Sequence, residues 1–195
     1  MKSKYILPLL ATALILASII SCSPSKKEEN SVDIAKAEND KNLETRKDEK
    51  DADFIVDAVA ENYAEIKMAQ MALVASTSEE VKEIARTLEA DHTKSLTELK
   101  GYANKNGISI PMEESEKAKI KITDLSEKGV EDFDKKWCSL LIAKHENTIR
   151  NLEYRWNKTE DPELKDWVNK TLPVLNGHLD MLKEHEKKMK ELKAK

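Results

Sequence analysis

The chain has 195 residues, with 33 basic and 37 acidic side chains and a formal net charge of -4. Charged residues make up 36% of it and aromatic residues 5%, with only 4 glycines and 5 prolines. This composition favours long helices and argues against a β-sandwich, a barrel or a doubly wound sheet. Charges of both signs are interspersed, so no nucleic-acid partner is expected. Two cysteines are too few for a disulfide framework.

The first 21 residues have the pattern of a secretory signal peptide. Lys2 and Lys4 precede an apolar run that ends at Ile20. The sequence Ile19-Ile20-Ser21-Cys22 resembles a bacterial lipobox, which implies cleavage before Cys22 and lipidation of that residue. A lipid-anchored protein of the cell envelope is therefore expected, with the outer membrane favoured over the inner one. An uncleaved membrane helix, or cleavage elsewhere, is the alternative.

Residues 22–52 are predicted to form the lipidated Cys22 and a disordered, charged tether. They contain almost no large apolar side chains, so they can bury little surface to offset the entropy of ordering. The start of this segment, Ser25 to Glu29, resembles the Lys-then-acidic signals that send some bacterial lipoproteins to the cell surface. An ordinary charged linker is the alternative, so both a periplasmic and a surface-facing location remain open.

From residue 53 onward, apolar residues recur with a helical period. Capping signals lie around Ser78 and Asp161, and Asn106-Gly107 is a helix-ending pair. Trp156 is expected on an inward stripe, and Pro173 is expected to kink the last helix. The pattern predicts an all-α, ferritin-like four-helix bundle over 53–192, with a long crossover that carries a short extra helix. The helices are expected at about 53–75, 79–105, 131–159 and 162–192, and the short one near 113–127.

One candidate metal ligand lies on the apolar stripe of each long helix: Glu65, His92, His145 and His178. Within each predicted hairpin the two candidates lie at nearly the same depth, and all four agree within about one and a half helical turns. Neutral imidazoles and a carboxylate suit Zn, Fe(II), Mn or Cu. The expected cofactor is therefore one divalent transition metal, held in the core of the bundle.

Three further residues are candidates for orienting a ligand ring: Asn62, Glu89 and Asp91. Glu89-x-x-His92 also has the spacing of carboxylate-bridged di-iron helices, but the fourth helix offers no matching pair, so a full di-iron site is not expected. His185 lies among polar residues and is expected in solvent. Cys138 is expected to be a packing residue rather than a nucleophile.

Three functions are consistent with this pattern, and no residue is assigned a catalytic role. The first is a membrane-anchored, metal-binding bundle for storage, delivery or protection of the envelope. The second is a structural or interaction module whose core histidines are hydrogen-bonded and hold no metal. The third is an oxidase or peroxidase of ferritin-like type. The sequence favours the first and identifies no protein partner.

Several motifs together resemble a known family. They are Asp91-His92-Thr93-Lys94, Phe133-Asp134 followed by His145, and Leu172-Pro173 followed by His178. In this order and spacing they resemble the bacterial envelope family called domain of unknown function 4142, over about residues 53–190. The resemblance implies a ferritin-like bundle and an envelope location, and it implies no activity. Trp137 stands where that family commonly has Tyr.

Overall fold

The structure is a computed structural model and describes residues 30–43 and 46–193. Over these residues the protein is all-α, with six helices and no strand. The helices are α1 (Ser31–Asn42), α2 (Arg46–Ala75), α3 (Glu79–Lys105), α4 (Glu116–Ser126), α5 (Val130–Lys158) and α6 (Pro162–Lys193). The predicted signal peptide and Cys22 lie outside the described residues. None of the described helices is apolar over a length that could span a membrane.

The four long helices form two hairpins, α2–α3 and α5–α6, and their boundaries follow the predicted capping signals. Ser78 Oγ accepts a hydrogen bond from the backbone N–H of Val81 at the start of α3. Asp161 Oδ1 does the same for Leu164 at the start of α6. Gly107 has φ +65°, the left-handed conformation that ends α3. The sequence therefore located these helix ends to within one or two residues.

The turns of the two hairpins lie at opposite ends of the molecule. Tyr102, near the end of α3, donates its hydroxyl to Asp161 in the α5–α6 turn at 2.9 Å. At the other end, Lys188 near the end of α6 lies 2.8 Å from Glu80, just after the α2–α3 turn. The connection between the hairpins, which contains α4, therefore starts at one end of the molecule and finishes at the other.

The largest apolar cluster of the described residues lies at the end that holds the α2–α3 turn. There, fully buried side chains of all four long helices pack together, among them Met68, Leu88, Leu141 and Leu182. Towards the other end the apolar residues divide into two main clusters. One joins α2 and α3 with Leu164, and the other joins α5 to α6 through Leu152 and Leu175. The two hairpins thus leave space between them in this half of the molecule.

The predicted disordered tether is wrong for the described part of residues 22–52. Helix α1 occupies much of this segment and buries Val32 and Ala35 against Val56 and Ala60 of α2. Asn39 is 1% exposed and makes two hydrogen bonds to the backbone of Ser109, at 2.8 and 2.9 Å. The apolar contacts of Val32 and Ala35 and the two hydrogen bonds of Asn39 therefore order a segment whose composition alone does not predict a packed helix.

Helix α2 also begins at Arg46, before the predicted start at 53. The early turn is ordered by Asp51, which accepts a hydrogen bond from Thr159 at 2.7 Å and lies 3.2 Å from Arg155 Nε. Arg155 is buried at this level of α5, and the predicted inward residue Trp156 is instead 38% exposed. The prediction for Trp156 was wrong because the ion pair occupies the interior position. Helix α6 continues through Pro173.

Candidate metal centre

The four predicted ligands are buried at one level, one helical turn above the largest apolar cluster. Each lies four residues from a member of that cluster: Glu65 from Ala69, His92 from Leu88, His145 from Leu141 and His178 from Leu182. Residues four apart on a helix share a face. Because the core residues of the four helices meet, the polar residues above them meet as well. Their exposures are between 0% and 6%.

The three imidazoles form a nearly equilateral triangle. Their ring centroids are 5.7, 5.4 and 5.3 Å apart for the pairs His92–His145, His92–His178 and His145–His178. One ring nitrogen of each histidine lies within 4.8 Å of those of the other two. Three separate helices therefore bring three possible nitrogen ligands around one point.

Hydrogen bonding fixes the tautomers of His145 and His178. His145 Nδ1 lies 3.0 Å from the carbonyl oxygen of Leu141, which can only accept, so this nitrogen carries the proton. His178 Nε2 lies 2.9 Å from Asp91 Oδ2 and donates to that carboxylate. In the neutral rings, His145 Nε2 and His178 Nδ1 are left as lone-pair nitrogens.

His92 is oriented in the same way by Asn62. The amide nitrogen of Asn62 donates to the carbonyl of Ala58 at 2.8 Å, which points its oxygen at His92 Nδ1, 3.0 Å away. His92 Nδ1 is therefore the donor, and His92 Nε2 keeps its lone pair. Two of the predicted ring-orienting residues, Asn62 and Asp91, thus contact imidazoles. Such outer contacts select which nitrogen of a ring is available to a metal.

In the resulting centre, hydrogen-bond acceptors lie close to one another with no donor between them. His145 Nε2 and His178 Nδ1 are 3.2 Å apart, at a distance where two lone pairs repel. Glu65 Oε2 lies 3.5 Å from His92 Nε2, and neither atom has a hydrogen-bond partner in the structure. Buried polar atoms almost always have partners, so a cation among these groups would resolve the conflict. The cation can be a proton or a metal ion.

The electrostatic surroundings of Glu65 favour its ionised form. Burial opposes the charge, but protonated His145 or His92 and the ammonium of Lys144 favour it, and together they hold the pKa of Glu65 below its ordinary value. Burial likewise opposes the charge of Lys144, yet Glu65 and Glu61 raise its pKa. Lys144 also forms an ion pair with Glu61.

His92 and His178 are held in the neutral form that binds metals. Burial is the main cause, lowering the pKa of His92 from 6.5 to about 4 against the opposing effect of Glu65. Burial also lowers the pKa of His178, although its hydrogen bond to Asp91 acts in the other direction. Both rings therefore keep a lone pair free at neutral pH.

The triangle is close to the size that a tetrahedral ion requires. For a Zn–N bond of about 2.1 Å, the nitrogens at two corners of a tetrahedron are about 3.4 Å apart. The His145–His178 pair is already at 3.2 Å. The ring nitrogen of His92 lies within 4.8 Å of those of the other two histidines, so small side-chain rotations would bring it to the tetrahedral distance. Glu65, beside His92, lies next to this group rather than within it.

Two other sequence-based predictions fail here. Glu89 accepts a hydrogen bond from Gln70 at 2.8 Å and does not contact a histidine, so it orients no ring and completes no di-iron pair. His185 is 5% exposed rather than solvated, with Nδ1 3.2 Å from Glu80. It is buried because it lies three residues after Leu182, on the same inward face of α6.

Cys138 and Trp137 have structural contacts near the centre. Cys138 is fully buried, its sulfur lies 3.2 Å from the carbonyl of Leu182, and burial raises its pKa to about 12. A thiol so protonated is not a nucleophile. The indole N–H of Trp137 donates to the carbonyl of Met68 at 2.9 Å, in the core below the histidines.

Comparison with known proteins agrees with this arrangement of motifs. The model of the family described as "Domain of unknown function (DUF4142)" matches residues 36–185. The chain belongs to the DUF4142 family. No curated protein and no solved structure matches it. The DUF4142 match begins within α1, so it includes part of the segment that the sequence assigned to a tether, and it contains Glu65 and all three histidines of the centre.

Proposed function

We propose that this DUF4142 protein binds one divalent transition metal through His92, His145 and His178, with Glu65 as a fourth or neighbouring ligand. One observation carries the proposal. Three imidazoles from three helices, each with one nitrogen hydrogen-bonded to another group, have ring nitrogens within 4.8 Å of one another beside a buried carboxylate. A divalent ion would bind all of these acceptors at once.

The donor set narrows the metals that we propose. Imidazole nitrogens suit Zn, Cu and Fe, and a carboxylate extends the set to Mn. Three protein ligands would leave a coordination position for Glu65, water or another molecule. The proposed roles are storage, delivery or protection of the cell envelope.

We further propose that the domain is ferritin-like and works at a membrane. Four long helices, with a long connection between the hairpins, support the relationship to ferritin-like bundles. The lipobox-like Ile19-Ile20-Ser21-Cys22 supports a lipid anchor, which would place the domain at the bacterial cell envelope, with the outer membrane favoured. The acyl chains on Cys22 would make the membrane a partner of the protein.

A metal-free structural module is the second candidate, and the His145–His178 contact favours it. A separation of 3.2 Å also suits a hydrogen bond if one proton lies between the two nitrogens. If the proton is an additional one, the pair of rings becomes cationic. If His178 instead carries its single proton on Nδ1, the lone pair of its Nε2 faces the carboxylate of Asp91. Both arrangements cost energy in a buried site, which is why the metal is preferred.

Calorimetric titration of the full chain, purified without a histidine tag, separates the two candidates. Zn²⁺ should bind at one per chain, and His145→Ala should abolish that binding. His185→Ala is the matched control, because it removes a buried histidine of α6 that lies outside the triangle. Unchanged stoichiometry in His145→Ala would refute the proposed site.

A further inference from the structure

A cavity of about 940 Å³ opens directly above the proposed metal centre, in the space between the hairpins. His92, His178 and Glu65 lie in its wall. A metal ion and a few waters need far less room, and the volume is within the range of sites that bind small organic molecules. The metal would therefore be exposed to a chamber large enough for a second ligand.

The lining of the cavity changes in character along its length. Next to the histidines it is polar, with Asn62, Ser95 and Thr148. Ala58, Leu152 and Leu175 then form an apolar section. Trp167, in edge-to-face contact with Phe54, lies eleven residues before His178 on α6, which places it about 16 Å from the histidines. A molecule that fills the chamber has to be elongated and apolar in its middle.

The far section contains a buried hydrogen-bond donor without an acceptor. Trp167 Nε1 is buried and has no partner in the structure. Lys158 and Arg155 line the cavity at the same end, where Lys158 lies over the ring of Tyr154 and Arg155 pairs with Asp51. Since buried donors are rarely left unpaired, a ligand oxygen would be well placed here.

We propose that this cavity binds a linear carboxylic acid with a second oxygen function at its far end. The proposal rests on the proposed metal, because without a cation the acceptors of Glu65 and His92 would repel a carboxylate. With the ion in place, the carboxylate occupies the coordination position that three histidines leave open. The chain lies along Leu152 and Leu175, and the far oxygen accepts from Trp167.

The test uses the full chain loaded with Co²⁺, whose visible absorption reports the ligands around the ion. The probe is ω-hydroxydodecanoate, and dodecane-diol is the control without a carboxylate. We expect the acid, and not the diol, to change the Co²⁺ spectrum. We also expect the acid to bind about 5–150-fold more tightly with metal than without, and to strengthen metal binding by the same factor, as linkage requires.

Two variants separate the parts of the proposal. Trp167→Phe keeps an aromatic ring and removes the N–H, so it should abolish the preference for ω-hydroxydodecanoate over dodecanoate while leaving Co²⁺ binding intact. Ala58→Phe fills the apolar section and should block both acids without loss of metal. If the Ala58→Phe variant does not fold, Thr171→Phe takes its place, because Thr171 also lies in the cavity wall.

Failure of this inference is distinguishable from failure of the metal site. Stoichiometric Co²⁺ binding with a spectrum that the acid does not change would overturn the ligand proposal and leave the metal proposal standing. Equal affinity for the acid with and without metal would overturn it too. If no Co²⁺ binds, both proposals are wrong.

Discussion

His145 Nε2 lies 3.2 Å from His178 Nδ1, and the hydrogen bonds to Leu141 and Asp91 leave both nitrogens without a proton. This contact is the feature of the centre that most directly supports the proposed cation. Residues of α3 and of the α5 backbone create it, because they determine which nitrogen of each ring faces the interior.

Asn62→Leu should weaken metal binding while leaving the fold intact. The substitution keeps the approximate size of the side chain but removes the acceptor for His92 Nδ1, so the ring can turn its lone pair away. Loss of such an outer contact typically lowers metal affinity about 10–100-fold. Competitive Zn²⁺ titration measures the change. Glu89→Gln is the control, and an equal loss in both variants would show that the effect is not specific to His92.

Glu65→Gln should lower metal affinity without changing the stoichiometry. The amide keeps the shape of the side chain but removes the negative charge beside His92 Nε2, 3.5 Å away. The three histidines remain to bind the ion, so one metal per chain is still expected. Titration with Zn²⁺ at constant ionic strength gives both quantities. An affinity equal to that of the unmodified chain would show that Glu65 neither binds nor attracts the metal.

Without metal, the protein should lose stability as the pH falls from about 6.5 to about 4. Burial lowers the pKa of folded His92 to about 4, whereas the unfolded chain titrates near 6.5. In this window the unfolded chain binds more protons, so the free energy of unfolding decreases with decreasing pH. The lowered pKa of His178 acts in the same direction. Urea unfolding across the window, compared with His92→Gln, measures the effect, and an identical pH dependence in the variant would contradict it.

Asn39→Ala should destabilise the packing of α1 without affecting metal binding. Asn39 makes two buried hydrogen bonds to Ser109, and its loss leaves that backbone unpaired, at a cost of about 1–3 kcal/mol. Urea unfolding and amide hydrogen exchange in α1 would measure the change. Glu38→Ala, at an exposed position of the same helix, should have little effect. Comparable losses in the two variants would show that the Asn39 bonds are not what holds α1.

The sequence predicted the long helices well because their signals are local. Ser78 and Asp161 cap helices, Gly107 takes a left-handed conformation, and the apolar stripes repeat over many turns. Helix α1 was missed because its support is distant in sequence. Its burial depends on Asn39 meeting Ser109, 70 residues away, and no local pattern reports this contact.

The meeting of the four site residues could be anticipated only in part. Spacing placed Glu65 and His92 roughly 18–22 Å from one turn, and His145 and His178 roughly 24–25 Å from the other. The long helices contain 27–32 residues and are about 40–48 Å long, and the two turns lie at opposite ends of them. The depths of the two residue pairs, counted from opposite ends, therefore correspond to the same level of the molecule. Sequence alone does not show which end each turn occupies.

Other features of the centre had no readable signal. Leu141 acts through its backbone carbonyl, which every residue possesses. Lys144 looks like an ordinary surface lysine beside His145, but it lies close enough to Glu65 to lower the pKa of that carboxyl. The position of His185 was misread because its polar neighbours concealed the continuing apolar face of α6.

X-ray absorption spectroscopy of the Zn²⁺-loaded full chain tests the central claim most directly, because it identifies the atoms bound to the ion. We expect three imidazole nitrogens at about 2.0–2.1 Å from the ion, with oxygen completing the shell. A shell of oxygen atoms with one imidazole or none would contradict it, and would leave the histidine triangle as a hydrogen-bonded part of the core.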